Sequence, residues 1–461
     1  MTFQPPCRTA LSLAALLMIS ACVAVGPDPT DLPELHLPAA FDEGGGGTAG
    51  QVGANAFWLE YQDRILSQLI AAGLSTSLDI IQANERIRAA AADLRATHPL
   101  ASQMSGEPGS VSRVRSGGDG MATGYSSSAS LSAGFVFDLF GGSQRARQGA
   151  TAAYASAEAQ LEVTRLAWLA EVISAYSEAR FNQQALALTR ETIRARQGTL
   201  EVTNNMLSLG VASDYDIART EALLHIAQAD LPNYQAGFNA QVYRLSTLLN
   251  LQTGPLMAQM QRRSGALRIP PGPGTGVPAD LLRNRPDLRA AQQDLVQALA
   301  AVGVATADML PSLSLTGTVS DTGGATAWGF GPRLSLPVAN QGVLQAIRAR
   351  RLSEARSADL TWRSLVVTAV EDVQAAQSNL KRLRQRVTAL DRAADSYDRA
   401  YDLALANFKG GGLPLVDLLD ADLQRAEARL QAASARNDAA REWTALQIAT
   451  GAGAAVVGIG N

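Results

Sequence analysis

The chain repeats itself at one fixed offset, and few folds accommodate that over such a length. Apolar or small residues recur every seven positions at Val172, Ala179, Leu186, Ile193, Leu200 and Leu207. Adding 201 to each lands on Val373, Leu380, Val387, Ala394, Tyr401 and Phe408. The same shift carries Gly210 to Gly411, Asp216 to Asp417 and Glu221 to Asp422. One offset relates a heptad frame and the turn that ends it, which marks an internal duplication. In the second copy Ala376, Leu383, Leu390, Tyr397 and Ala404 complete the 3/4 spacing of a left-handed coiled coil. The first copy is weaker, because Thr189, Arg196 and Thr203 take seam positions. Each long helix ends at a glycine-bearing turn, and a second helix returns over about 214–250 and 415–450. Residues 144–208 alone would reach roughly 95 Å at 1.5 Å per residue. Pro232 is expected to kink the first return helix, since it removes a backbone donor and crowds the preceding turn.

Before each hairpin the period changes to two. From Tyr125 to Leu139 the odd positions read Tyr, Ser, Ala, Leu, Ala, Phe, Phe, Leu, and the even ones are mostly Ser. Leu313, Leu315 and Val319 alternate with Ser and Thr, and Trp328, Phe330, Leu334, Leu336 and Val338 share one face. Short segments with one apolar and one small-polar face are the signature of transmembrane β-strands. The remaining strand is expected around 97–106, with exposed loops at 107–124 and 320–326. Four strands cannot close a barrel, and open edges cannot face lipid. The expected fold is therefore mainly α with a transmembrane β part whose barrel is shared between chains, four strands from each, continuing into helical coiled-coil hairpins; three chains would give a trimeric twelve-stranded barrel.

Composition narrows the function. The 42 acidic and 39 basic residues are interspersed, which leaves no electrostatic footprint for nucleic acid. Three His and two Cys, without a CxxC, give no metal site, catalytic triad or cofactor signature. No enzyme activity, metal or cofactor is expected. At the N-terminus, Arg8 precedes an apolar run, Leu11 to Ile19, too short to span a bilayer as a retained helix. The run ends in Ile19-Ser20-Ala21-Cys22, which resembles a bacterial lipobox. Cys22 is the expected lipidation site, and Cys7 would leave with the signal. A single remaining Cys suits an exported protein without disulfides.

At larger scale the chain resembles the TolC-like outer-membrane efflux family, in its lipoprotein branch, the NodT type. The resemblance rests on Cys22-Val23-Ala24-Val25-Gly26-Pro27-Asp28, on Leu281 to Ala291, on Leu310-Pro311-Ser312-Leu313 and on Leu418-Leu419-Asp420-Ala421. It implies a homotrimer in the outer membrane whose barrel continues into a periplasmic α-helical barrel. It also implies partners: a periplasmic adaptor and an inner-membrane transporter, most often of the resistance-nodulation-division type. The cargo would be drugs, dyes, detergents and other small amphiphiles.

The domains expected are a signal peptide (1–21), a lipidated tether (22–56), a first repeat (57–253), a linker (254–280), a second repeat (281–450) and a tail (451–461). The resemblance puts the periplasmic gate on Phe408, Val416 and Asp420, and three copies would make each a ring. Rings of apolar side chains gate by dewetting, and carboxylate rings favour cations. Asp417 fits the first turn of the return helix, where an acid suits the dipole. The adaptor-contact tips are Leu209, Gly210, Val211, Ala212 and Ser213, and Gly411, Gly412, Leu413, Pro414 and Leu415. Here Gly410-Gly411-Gly412 stands where the family pattern has an aromatic and one Gly. Arg283, Arg285, Pro286 and Asp287 read as structural, with Pro286 opening a helix. Two other roles are weighed: a channel for protein secretion, and an envelope lipoprotein that acts as a spacer, which would have no use for the four amphipathic strands.

Overall fold

The structure is a computed structural model that describes residues 24–29, 31, 35, 37–43, 56–97, 104–116, 122–262, 265–272 and 274–454. Cys22 lies outside the described residues. A 3-10 turn, Phe57–Tyr61, leads into α1 (Arg64–Thr76) and α2 (Leu78–Ala96). Then come β1 (Met104–Ser116), β2 (Ala122–Phe137), α3 (Gly142–Ser208) and α4 (Asp214–Leu249). Short helices α5 (Thr253–Gln261) and α6 (Pro278–Asn284) precede α7 (Pro286–Ala307). The second copy closes the chain with β3 (Ser312–Thr322), β4 (Ala325–Ser335), α8 (Gln341–Lys409) and α9 (Leu415–Ala449). Adding 201 to Ser208 and Asp214 gives Lys409 and Leu415, so the offset read from sequence also relates the hairpin boundaries.

Packing divides the chain into two units: residues 1–36, 85–160 and 287–365, and residues 37–84, 161–286 and 366–461. The first unit holds the sheet, in antiparallel order β1-β2-β3-β4. The strand expected at 97–106 is β1, Met104–Ser116, so most of the expected loop 107–124 is strand. Its pairing with β2 shifts between Glu107 and Ser110, around Pro108-Gly109. A bulge of this kind accommodates a residue that cannot donate to the ladder. The expected loop 320–326 is also shorter, since β3 runs to Thr322 and β4 starts at Ala325. Gly323 and Gly324, at φ 62° and 83°, form the tight turn, which needs positive φ at both centres.

The second unit holds the helical core. Although aromatics are scarce, Phe57 and Tyr61 meet Trp443 edge-on, with ring centroids 5.9 and 5.0 Å away. The Tyr61 hydroxyl donates to the Ala440 carbonyl at 2.6 Å. The heptad seam is buried at Val172, Ala179, Leu186, Val373, Ala376, Leu380, Val387, Ala394, Tyr401 and Phe408, while Tyr397 is exposed. Helix α4 runs through Pro232 as one continuous helix. Pro232 is exposed, so water is free to satisfy the carbonyl its ring leaves unpaired. The linker is pinned rather than loose: Arg384 donates to the Pro270 carbonyl, and the Trp443 indole to Pro271 at 2.7 Å. The expected tether also docks in part. Phe41 is buried, and Glu43 pairs with Arg382 at 3.0 Å and Lys381 at 3.4 Å.

Candidate functional site

The sheet separates its chemistry by face. Register places Leu131, Val319 and Trp328 in one row, then Ala133, Gly317 and Phe330. Phe135, Leu315 and Pro332 come next, then Phe137, Leu313 and Leu334. Every residue of these rows is apolar or glycine. The alternate rows of β2 and β3 read Ser130 with Ser320, Ser132 with Thr318, Gly134 with Thr316 and Val136 with Ser314. Side chains one residue apart point to opposite faces, so one face suits hydrocarbon and the other water. The apolar side chains are unusually bare, with Trp328 and Phe330 stacked and 74 % and 77 % exposed. The row above them, Ala129, Asp321 and Thr326, brings in a charge and ends the apolar band. Strands β1 and β4 are edges of the sheet, each paired on one side only.

The hairpin tips show the duplication in atomic detail. In the first, the Val211 amide donates to the Met206 carbonyl and Gly210 to Leu207, both at 2.9 Å. In the second, Gly412 donates to Asn407 at 2.9 Å and Gly411 to Phe408 at 3.0 Å, the same bonds shifted by 201. Gly210 and Gly411 occupy the left-handed region at φ 72° and 75°, as this helix ending requires. Of the three consecutive glycines only Gly411 needs that conformation. The tips differ in how the return helix begins. The Ser213 hydroxyl and amide both donate to the Asp216 carboxylate, at 2.7 and 2.9 Å, and the Asp216 amide returns toward the Ser213 hydroxyl. This reciprocal cap holds the Asp216 carboxyl below its usual range, through the Ser213 hydroxyl first and its amide second. The counterpart of Ser213 is Pro414, which caps α9 with no side-chain bond, and exposed Asp417 occupies its first turn.

The three residues expected at the gate do not share one environment. Phe408 is only 4 % exposed and packs with Tyr401, Leu418, Met206, Leu413 and Leu415. Within one chain it packs the tip from inside, where the sequence reading expected a gate residue. Val416 and Asp420 are exposed on α9. Among the tip residues, Leu209 and Val211 are 77 % and 72 % exposed, and Leu413 and Leu415 are partly buried in the Phe408 cluster.

Behind the tips, charges join the two repeats. Arg196 of α3 donates to the Asp422 carboxylate of α9 at 2.6 Å and to the Leu223 carbonyl of α4 at 2.6 Å. Glu191 of α3 receives Arg429 at 2.7 Å and Arg425 at 3.1 Å. Both arginines also reach Asp398 of α8, at 2.7 and 2.8 Å, and Arg425 lies over the Tyr401 ring. Burial alone would raise the Asp398 carboxyl; the Arg429 and Arg425 guanidiniums bonded to it bring it below the usual range.

The family model described as outer membrane efflux protein matches residues 103–251 and 277–452. The chain belongs to the outer membrane efflux protein family. It is 35 % identical to a nodulation protein T of Rhizobium leguminosarum bv. trifolii, over 95 % of this chain and 96 % of the relative. Identity to the pyoverdine export outer membrane protein OpmQ of Pseudomonas aeruginosa is 26 %, over 92 % and 95 %. Among solved structures, the outer-membrane channel OprN superposes with a TM-score of 0.84 at 26 % identity, covering 94 % of this chain and 99 % of that one. The Campylobacter jejuni CmeC outer membrane channel gives 0.82 at 19 %, covering 93 % and 95 %, and so shares the fold.

This efflux protein thus has the fold of TolC-like outer-membrane channels, and the family is one of channels rather than enzymes. The Leu281–Ala291 motif is structural: Arg285 donates to Asp372 at 2.9 Å, Leu288 and Ala290 are fully buried, and Pro286 opens α7. What sequence reasoning missed is the Arg196–Asp422 pair. Its signal was present: an arginine on an apolar seam needs a buried acid, and Asp422 is the second-copy counterpart of Glu221.

Proposed function

We propose that this efflux protein is the outer-membrane exit duct of a tripartite pump, formed by three identical chains. The observation that carries the reading is the four-stranded sheet with one apolar face, one Ser/Thr face and two open edges. Such a sheet is stable in lipid only when its edges are paired, and three copies close a twelve-stranded barrel with the Ser/Thr face inward. The helical hairpins then form the periplasmic part, and the tips at Leu209–Ser213 and Gly411–Leu415 meet a periplasmic adaptor. The adaptor couples the duct to an inner-membrane transporter of the resistance-nodulation-division type. The cargo class is small amphiphiles such as drugs, dyes and detergents, in keeping with a family of efflux proteins. Lipid on Cys22 anchors each chain to the outer membrane. Val416 and Asp420 of three chains converge as the periplasmic constriction.

Planar-bilayer recording tests the reading. Purified protein is expected to give discrete, cation-preferring openings, and its deletion to sensitise cells to dyes and detergents. An intact, folded preparation that never conducts would overturn it.

A further inference from the structure

The contact that locks the two repeats together within one chain has its duplicated positions left open. Helix α3 meets α9 through Arg196 and Asp422, and both are buried. The 201-residue offset carries Arg196 forward to Tyr397 of α8 and Asp422 back to Glu221 of α4. Tyr397 is 38 % exposed, and Glu221 is exposed as well. The apolar packing beside this pair divides the same way. Val202 of α3 packs on the buried cluster of Tyr401, Phe408 and Leu418. Shifted by 201, Val202 becomes Leu403, which is 66 % exposed, and the cluster becomes Leu200, Leu207 and Ile217, only half-buried.

Side-chain bonds order the four long helices as α4-α3-α9-α8. Arg196 of α3 reaches Leu223 of α4 and Asp422 of α9, and Arg425 of α9 reaches Asp398 of α8. The side of α3 that carries Arg196 and Val202 is covered by α9, and the equivalent side of α8 is bare. Likewise α9 buries Asp422 and Leu418 where α4 leaves Glu221 exposed and Ile217 half-buried. Two bare sides of complementary kind, one at each end of a row, suit a head-to-tail contact between copies, and such contacts close into rings. A tyrosine hydroxyl donates to a carboxylate as a guanidinium does, so Tyr397 and Glu221 can make the bond that Arg196 and Asp422 make. The repeat of this seam has an upper limit. Ser177 of α3 bonds Asn437 of α9, but its counterpart on α8, Ser378, is taken at 3.3 Å by Glu43.

We infer that α8 of each chain docks on α4 of a second copy, the Tyr397 hydroxyl donating to Glu221 of that copy and Leu403 lying on its Leu200, Leu207 and Ile217. This rests on the reading of three chains around one duct and names the faces that meet near the tips. The seam between chains then carries a bond with one charged partner, where the seam within a chain carries an ion pair.

The test puts the photo-cross-linking amino acid p-benzoylphenylalanine in place of Tyr397 in the full-length protein. Irradiation is expected to give covalent dimers on a denaturing gel, joined through the tryptic peptide Thr220–Arg244. Tyr397→Asp, which sets like charges face to face, should lower the temperature at which the trimer dissociates, and adding Glu221→Arg should restore it. A trimer by native mass spectrometry with no cross-links between chains, or with cross-links only outside α3 and α4, overturns the inference and leaves the shared duct intact. A loss in Tyr397→Asp that Glu221→Arg does not recover overturns it in the same way. A protein that never forms trimers overturns the shared duct itself, and the seam with it.

Discussion

Arg196 and Asp422, separated by 226 residues in sequence, meet at 2.6 Å with 5 % and 6 % of their side chains exposed. The bond ties the outgoing helix of the first repeat to the return helix of the second, beside the proposed gate. A buried charge without its partner is strongly unfavourable, whereas replacing both by apolar groups is often nearly neutral. Asp422→Ala is therefore expected to cost about 3–5 kcal/mol. Arg196→Met with Asp422→Leu should recover most of it. Thermal unfolding followed by circular dichroism measures both; a double variant no better than the single one would contradict the assignment.

Acid should loosen the same region. The Asp398 carboxyl is lowered in the folded protein, so its contribution is fully present above the unfolded value of about 3.9. That contribution is lost as pH falls through the lower folded value, because the unfolded chain then binds the extra proton. Asp398→Asn should remove this acid-dependent part of the unfolding midpoint and leave the profile above pH ~5 parallel to wild type. A titration unchanged by the substitution would contradict the network.

The tip residues separate by role. Phe408→Ala leaves a cavity in the cluster around Leu418 and Met206, and should cost about 3–5 kcal/mol of stability. Val416→Ala should raise conductance without altering block by divalent cations. Asp420→Ala should raise conductance and weaken that block, since three close carboxylates would recruit cations. A Phe408→Ala channel of normal stability and enlarged conductance would return Phe408 to the lumen.

Caps distinguish the two hairpins. Ser213→Ala removes the reciprocal bonds with Asp216 and should destabilise by about 1 kcal/mol. Gly210→Ala and Gly411→Ala force a Cβ into left-handed backbone and should each cost about 1–2 kcal/mol. Gly410→Ala and Gly412→Ala should cost less, as neither residue needs positive φ. Equal losses at all three glycines, measured by thermal unfolding, would contradict this register.

The legible parts of the chain were those where a period survives. The heptads and the 201-residue offset set α3, α4 and α9 to within two residues, because burial on one face repeats at helical spacing. Strands β2, β3 and β4 showed as alternation, because lipid and water faces impose a period of two. Strand β1 did not, for Met104–Ser116 carries Gly106, Pro108 and Gly109, and its bulge breaks the phase. The gate was less legible still. Phe408 lies on the heptad seam, and seam position already implied packing against other helices, as its burial shows. Val416 and Asp420 are exposed on α9, beyond the end of that frame.

The central claim is that three chains share one barrel, and native mass spectrometry of protein released gently from the outer membrane tests it most directly. The account predicts a single assembly of three lipidated chains, with no folded monomer surviving in a bilayer-like environment. A stable monomer that retains its β-sheet and resists protease in lipid would contradict it.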